Sequence, residues 1–278
     1  MSDMSENEKQ KFLAGNPLQT ILLIAVIAGS FFVGSLWTKV QFLEKGGVGS
    51  ASKTAQPTTP TTNAAPAAPP EAQVDQIKDA FTKSLVKFGD PNKKLVFIEI
   101  ADPSCPYCHV AAGLNPELNK QIGDRFKLVA DGGTYVAPVP EMKKLVDSGK
   151  AAFAWLYTPG HGNGQMGTKA MYCGFEKGKF WEVHDKLMTN EGYNLVNNVV
   201  KNDKTKSQEL VDFLKSAMSP TDLKSCLDSG KYDARLSEDT SLASGLGVQG
   251  TPGFFVNTTR FAGAYSWKDM ESAAKAAL

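Results

Sequence analysis

Cysteine is sparse in this chain, with four residues in 278, and histidine is sparser, with three. Four cysteines exclude a disulfide-stapled miniprotein, but the even number admits one reactive pair and one structural pair. Charge of one sign is also missing. The 30 basic and 29 acidic side chains leave a formal net charge of +1, which offers no basic surface for nucleic acid and no pull toward a strongly acidic partner. No internal repeat is present, so a solenoid or array is excluded. What remains is a hydrophobic share of 42%, ordinary for a packed core, in a chain long enough for one large domain or two small ones.

One long apolar run stands out. From Leu18 to Trp37 the chain carries no charge, and as a helix this stretch would span about 30 Å, the thickness of a bilayer's hydrocarbon core. A signal peptide has a shorter apolar region ending in a small-residue cleavage site, and none stands out after Trp37. The expectation is an N-terminal tail over 1–17 and a single uncleaved transmembrane anchor over 18–38. Lysines flank the run on both sides, so charge does not orient it. Residues 39–73 are rich in Gly, Pro, Ala and Thr with few large apolar side chains, which reads as a flexible linker.

Globular patterning starts at about residue 74. Val74, Ile77, Phe81, Leu85 and Phe88 mark one helical stripe, ended by Gly89 and Pro91. "KLVFIEIA" has the near-continuous apolar character of a central strand. A helix is expected from Cys105 through Ile122 with a kink at Pro116, an extended segment near 126–129, a short helix before Lys150, and a second strand at "AAFAWLY". Helices are expected over 168–175, 180–187, 207–216, 220–227 and 232–246. The chain closes with strand "GFFVN", a short strand near 260–261 and a helix from Ser266.

The chemistry concentrates in "DPSCPYCHV". Cys105 and Cys108 are separated by Pro106 and Tyr107, and the pair falls where a strand gives way to a helix. A thiol at a helix start lies near unpaired N–H groups that favour an anion, so Cys105 is the expected nucleophile and Cys108 the resolving thiol. Lowering a thiol pKa from about 8.5 to about 6.5 favours the thiolate by roughly 2.7 kcal/mol and makes the disulfide easier to reduce. Two rivals stand beside this reading. Cys105, Cys108 and His109 satisfy the C-x-x-C-H haem attachment pattern, and four cysteines can hold zinc. A long buried strand before the pair gives haem no reason, and Cys173 and Cys226 stand alone rather than as a second C-x-x-C.

Weaker signals are set aside. Gly162, Gly164 and Gly167 have the G-x-G-x-x-G spacing of a dinucleotide site, but no parallel strand follows, so a flexible loop is expected. His161 and His184 lack a metal-ligand set and read as a loop residue and a helix-surface or capping residue. Phe180 and Trp181 read as core anchors, and Asn257 in N-x-[ST] as a coincidence at a strand end. No metal and no cofactor is expected.

Strand "FIEIADPSCPYC", the later "CGFEKGKFWEVHDKL" and "LKSCLDSGKYDARLSEDTSLASGLGVQGTPGFFVN" together resemble the DsbA-like branch of the thioredoxin superfamily, over about 95–278. The stretch from about Lys127 to Lys150 departs from that pattern. The resemblance implies an α/β thioredoxin fold over 74–278 with a helical insertion at about 160–247. It implies a cis Thr251–Pro252 bond against the dithiol, with Thr251 offering backbone hydrogen bonds to a bound peptide. It implies that Glu99 is a buried acid handling the proton of Cys108, against the alternative of a partly exposed strand residue. It also implies a structural Cys173–Cys226 disulfide, with two free buried thiols as the alternative.

The resulting expectation is a thiol:disulfide oxidoreductase that introduces disulfides into proteins outside the cytoplasm. Its partners would be reduced or misoxidised secreted proteins and a membrane redox partner that reoxidises the dithiol. The catalytic domain would face the periplasm or cell exterior. An isomerase or reductase of the same fold and a peptide-binding chaperone module are the alternatives.

Overall fold

The computed structural model describes residues 72–278. The expected N-terminal tail, membrane span and nearly all of the linker lie outside the described residues. Among the described residues no helix is long and apolar enough to cross a membrane. The Ala72 amide already donates to the Thr258 carbonyl at 3.0 Å, and Gln73 caps the first helix, α1 (Val74–Lys83).

The expected single helical stripe from Val74 to Phe88 is two elements. At Ser84 the backbone turns extended, and Val86–Phe88 forms strand β1, antiparallel to residues 153–155 of β3 (Ala151–Tyr157). Ser84 Oγ donates to the carbonyls of Val86 and Trp155. The spacing of Leu85 and Phe88 suits either element, and pairing with β3 decides the outcome, as tertiary context commonly does for short segments.

Strand β2 (Leu95–Ala101) is buried along its whole length. It lies between β3, which it pairs in parallel, and β4 (Gly253–Val256), which runs antiparallel; β5 (Thr259–Ala262) pairs with β4 at the edge. The sheet order is β1-β3-β2-β4-β5. Alternation then sorts the side chains. Val96, Ile98, Ile100, Ala152, Ala154 and Phe255 face α1 and α10 (Asp233–Gly245). Phe97, Phe153, Trp155, Tyr157 and Phe254 face the opposite layer, and Glu99 shares that face by its position between Phe97 and Ala101.

That opposite layer contains α2 (Pro106–Ala112), α4 (Pro138–Asp147), the helices inserted between β3 and α10, and α11 (Trp267–Ala276). The inserted helices α5 (Gln165–Glu176), α6 (Phe180–Leu187), α8 (Ser207–Leu214), α9 (Pro220–Asp228) and α10 match their sequence patterns within a few residues. A short α7 (Asn190–Asn194) and a π-helical turn over Leu195–Val200 carried no sequence signal.

Two further expectations are corrected. The helix expected from Cys105 to Ile122 is broken: Gly113 closes α2 in the left-handed region at φ 69°, and α3 (Pro116–Ile122) starts anew with Asn115 accepting from the Leu118 amide. Pro116 therefore occupies a first helical turn, where its missing N–H costs nothing, and kinks no helix. The segment expected to be extended near 126–129 consists of 3-10 turns over Asp124–Phe126 and Val129–Asp131, with a single bridge from Leu128 to Tyr135.

Candidate dithiol site

Strand β2 delivers the chain to Asp102, and the turn that follows places Cys105 at the cap of α2 with Pro106 in its first position. Cys105 is 4% exposed and Cys108 is fully buried; both are free thiols. Cys105 Sγ lies 3.4 Å from the Thr251 carbonyl oxygen, and the Asp102 amide donates to Cys108 Sγ at 3.4 Å. The Thr251–Pro252 bond is cis, and it immediately precedes β4, so the sheet itself sets this loop against the dithiol.

The two thiols titrate in opposite directions. A hydrogen bond from the Cys108 thiol lowers Cys105 from an ordinary 9.0 to about 6; burial opposes the shift, while Thr251 and the amides of Cys108 and Tyr107 add to it. Cys108 is raised, first by burial and then by its hydrogen bond and proximity to the Cys105 sulfur. The sequence argument credited the helix start. With α2 only seven residues long, the neighbouring thiol is the larger cause.

Asp102 organises the turn, and sequence reasoning missed it. Its Oδ1 accepts from the Ser104 amide and hydroxyl, both at 2.7 Å, and its Oδ2 accepts from the amides of Gly160 and His161 at 2.8 and 3.1 Å. Ser104 Oγ accepts from the Asn163 amide, and Asn197 from the π-helical turn donates to the Ser104 carbonyl. Of the glycine-rich "GHGNGQMG", expected as a loop, residues 160–164 form one, strapped to the dithiol turn, while Gln165–Gly167 already begin α5. A Cβ on Gly160 would lie 1.7 Å from Thr251 Oγ1 and 3.3 Å from Cys105 Cβ, and one on Gly164 would lie 1.7 Å from Asp102 Oδ1. Close approach of backbone to the site explains these glycines.

His109 is fully buried, with Nδ1 3.0 Å from the Met188 carbonyl and Nε2 2.9 Å from the Pro103 carbonyl. Burial pushes its pKa down to about 4. Each ring nitrogen faces a backbone carbonyl, and the neutral ring donates to one of them. Among the described residues no group of three His, Cys, Asp or Glu could hold a metal ion.

Glu99 is 1% exposed, not a partly exposed strand residue, and burial raises its pKa from 4.5 to about 7 against the lowering influence of His184. Its Oε2 has no hydrogen-bonding partner. His184, expected at a helix surface or cap, is 1% exposed instead, because α6 turns it inward to stack on Phe180; His161 is an exposed loop residue whose amide holds Asp102. Phe180 is buried and Trp181 packs beside it. Asn257, at φ 51°, receives the Val96 amide and donates to the Lys94 carbonyl, so its side chain ties the strand end.

Away from the dithiol, Cys173 of α5 and Cys226 of α9 are joined by a disulfide, with Cα atoms 6.0 Å apart. Next to the dithiol loop lies a cavity of about 590 Å³, lined among others by Tyr107, Phe126, Tyr135, Thr251, Tyr265 and Asp269.

The sequence model of the thioredoxin family, described as "Thioredoxin", matches residues 139–276. The matched stretch includes the Thr251–Pro252 loop and leaves Cys105 and Cys108 to its N-terminal side. BdbD from Bacillus subtilis, in its oxidised form, superposes with a TM-score of 0.50 at 18% identity, covering 74% of this chain and 95% of that one. Wolbachia pipientis alpha-DsbA1 superposes with a TM-score of 0.50 at 18% identity, covering 68% and 88%. The fold is thus the thioredoxin fold, shared with these two structures. The chain is also 25% identical over 194 residues to the Na(+)/H(+) antiporter NhaA 3 of Salinispora tropica, covering 68% of this chain but 24% of that protein. It therefore spans about a quarter of the length of that curated relative.

Proposed function

We propose that the chain is a protein thiol:disulfide oxidoreductase that introduces disulfides into proteins outside the cytoplasm. The observation that carries the proposal is a pair of buried free thiols at a helix start, Cys105 and Cys108, with Cys105 Sγ 3.4 Å from the Thr251 carbonyl oxygen of the cis Thr251–Pro252 loop. In the oxidised protein a substrate thiolate attacks Cys105 Sγ and the Cys105–Cys108 bond breaks. Cys108 leaves and takes up a proton, for which Glu99 is the proposed source. A second substrate thiolate attacks the substrate sulfur of the mixed disulfide, and Cys105 departs as the stabilised thiolate. The substrate has lost two electrons and the dithiol has gained them; a membrane redox partner removes them in the reverse sequence.

Thr251 borders both Cys105 Sγ and the neighbouring cavity. A substrate strand paired with its backbone would extend into that cavity, where Tyr107, exposed at 41%, and Tyr265, exposed at 40%, offer aromatic faces. Residues 18–38 are the proposed membrane anchor and 39–73 the tether, with the thioredoxin-fold domain facing the periplasm or exterior; the uncharged run from Leu18 to Trp37 supports this placement. Cys173–Cys226 is proposed as structural.

The test supplies full-length oxidised protein to a reduced, unfolded substrate whose native disulfides are known. Rapid loss of substrate thiols with little repair of scrambled disulfides is expected. Efficient repair of scrambled substrate would instead assign an isomerase, net reduction of native disulfides a reductase, and substrate binding without exchange a chaperone module.

A further inference from the structure

Two cavities flank the Thr251 loop. Thr251, Ala262 and Gly263 border both. The first holds the aromatic faces of Tyr107 and Tyr265. The second, of about 260 Å³, is lined among others by Val248, Gln249, Gly250 and Arg260.

Arg260 belongs to the edge strand β5 and stands opposite Phe255 of β4. Directly paired residues of an antiparallel ladder project to one face. Phe255 faces α1 and α10, so Arg260 is on that face too. A Cβ on Gly247, just beyond α10, would lie 3.5 Å from Arg260 Nη1, which puts the guanidinium beside the loop leading from α10 to Thr251. Its charge is unanswered. Arg235 is held by Glu238 and Asp239, whereas among the described residues Arg260 has no ion pair, and its Nε is buried without a partner. In the wall of the same cavity, the amides of Gln249 and Gly250 donate to no backbone carbonyl among the described residues. A donor withdrawn from water without an acceptor is costly, and a ligand that brings the acceptor removes the cost. The planar fork of arginine matches a carboxylate through two parallel N–H···O bonds.

We propose that Arg260, with the Gln249–Gly250 loop, is a carboxylate-binding subsite that favours thiol partners carrying an acid beside the reacting cysteine. This rests on the oxidoreductase reading of the dithiol. Thr251 joins the two places: its carbonyl oxygen lies 3.4 Å from Cys105 Sγ, and it borders the Arg260 cavity. Successive side chains of an extended substrate strand point to opposite faces. With the substrate cysteine turned to Cys105, on the face that holds Phe97 and Phe254, its immediate neighbours turn to the face of Arg260. Residues two positions away return to the aromatic cavity, where Asp269 disfavours a second acid. The carboxylate belongs either to an acidic side chain of a substrate protein or to a small thiol such as glutathione.

The test mixes full-length oxidised protein with reduced one-cysteine peptides that differ only in Glu or Gln beside the cysteine. The mixed disulfide at Cys105 is followed by acid quench and mass spectrometry. Glu is expected to speed attack roughly tenfold over Gln, by a ratio that shrinks as salt is raised, and Glu two residues from the cysteine is expected to gain less. Arg260→Gln is expected to erase the ratio. Arg260→Lys, which keeps the charge but not the fork, is expected to cut it to about threefold and serves alone if Arg260→Gln fails to fold. Reduced glutathione against its diethyl ester is the second arm: an Arg260-dependent ratio there alone assigns the subsite to a small thiol, and one in the peptides assigns it to a substrate acid. Equal rates in both arms of the wild-type protein would overturn the subsite, as would a ratio unchanged by either substitution. Failure of every thiol to exchange would overturn the oxidoreductase reading instead. Saturation-transfer NMR with the S-methylated peptides and S-methylglutathione then decides the subsite by itself: stronger wild-type binding of the acid-bearing ligand upholds it, and equal binding of acid and neutral ligands overturns it.

Discussion

Cys105, Cys108 and Cys173 are buried and Cys226 is partly buried, yet the surroundings of the two pairs differ in kind. Around the first are donors and titrating groups: a neighbouring thiol, the Thr251 loop, the Asp102 turn and the buried Glu99. Around the second are Leu223, Leu227, Val183 and other apolar side chains of the inserted helices. Burial alone therefore does not make a cysteine inert or reactive; the polar groups that meet the sulfur do. The first pair joins residues three apart on one helix end, and the second closes a loop with a sequence separation of 53, which is where a cross-link restricts the unfolded chain most.

Breaking each pair should expose that contrast. Cys105→Ser is expected to abolish thiol exchange, a loss of at least about a thousandfold, with the melting temperature nearly unchanged; retained turnover would mean that Cys108 can act alone. Cys173→Ser with Cys226→Ser is expected to act the other way, removing up to about 4 kcal/mol of stability on the chain-entropy estimate while the pH midpoint of Cys105 alkylation stays in place. Denaturant titration and alkylation kinetics on the same samples separate the two effects.

Glu99→Gln sharpens the comparison through pH. Because Glu99 is raised from 4.5 to about 7, the folded state holds its proton more tightly than the unfolded state. The cost of ionising it is absent below pH 4.5, grows up to about pH 7 and is constant above. The variant is thus expected to be more stable than wild type at pH 8, by up to about 3 kcal/mol, and equal to it at pH 4, while exchange slows. Equal stability at both pH values would remove the buried acid from the account. Gly160→Ala, whose Cβ would collide with Thr251 Oγ1, is expected to give the smallest effect, a several-fold loss of exchange from a displaced loop with about 1 kcal/mol of destabilisation.

Much of the frame was legible because it follows from simple periodicity. The continuous apolar runs of β2 and β3 needed no tertiary information. The motif C-P-Y-C located the dithiol, and the family resemblance pointed to the cis bond and to the second pair. What was hidden was set by contacts distant in sequence. Val86–Phe88 becomes a strand only because β3 is there to pair with it. The role of Asp102 depends on amides more than fifty residues away, and the inward turn of His184 depends on which face of α6 the sheet covers. The glycines at 160 and 164 did leave a signal in the sequence, a cluster after a strand; its cause was close packing rather than a phosphate.

The most direct measurement is the rate of alkylation of each cysteine in the reduced full-length protein as a function of pH, read by peptide mapping. The account predicts that Cys105 reacts with a midpoint near its lowered value of about 6, while Cys108 stays unmodified until the protein unfolds. Equal labelling of Cys105 and Cys108, or a Cys105 midpoint near the ordinary 9.0, would contradict it.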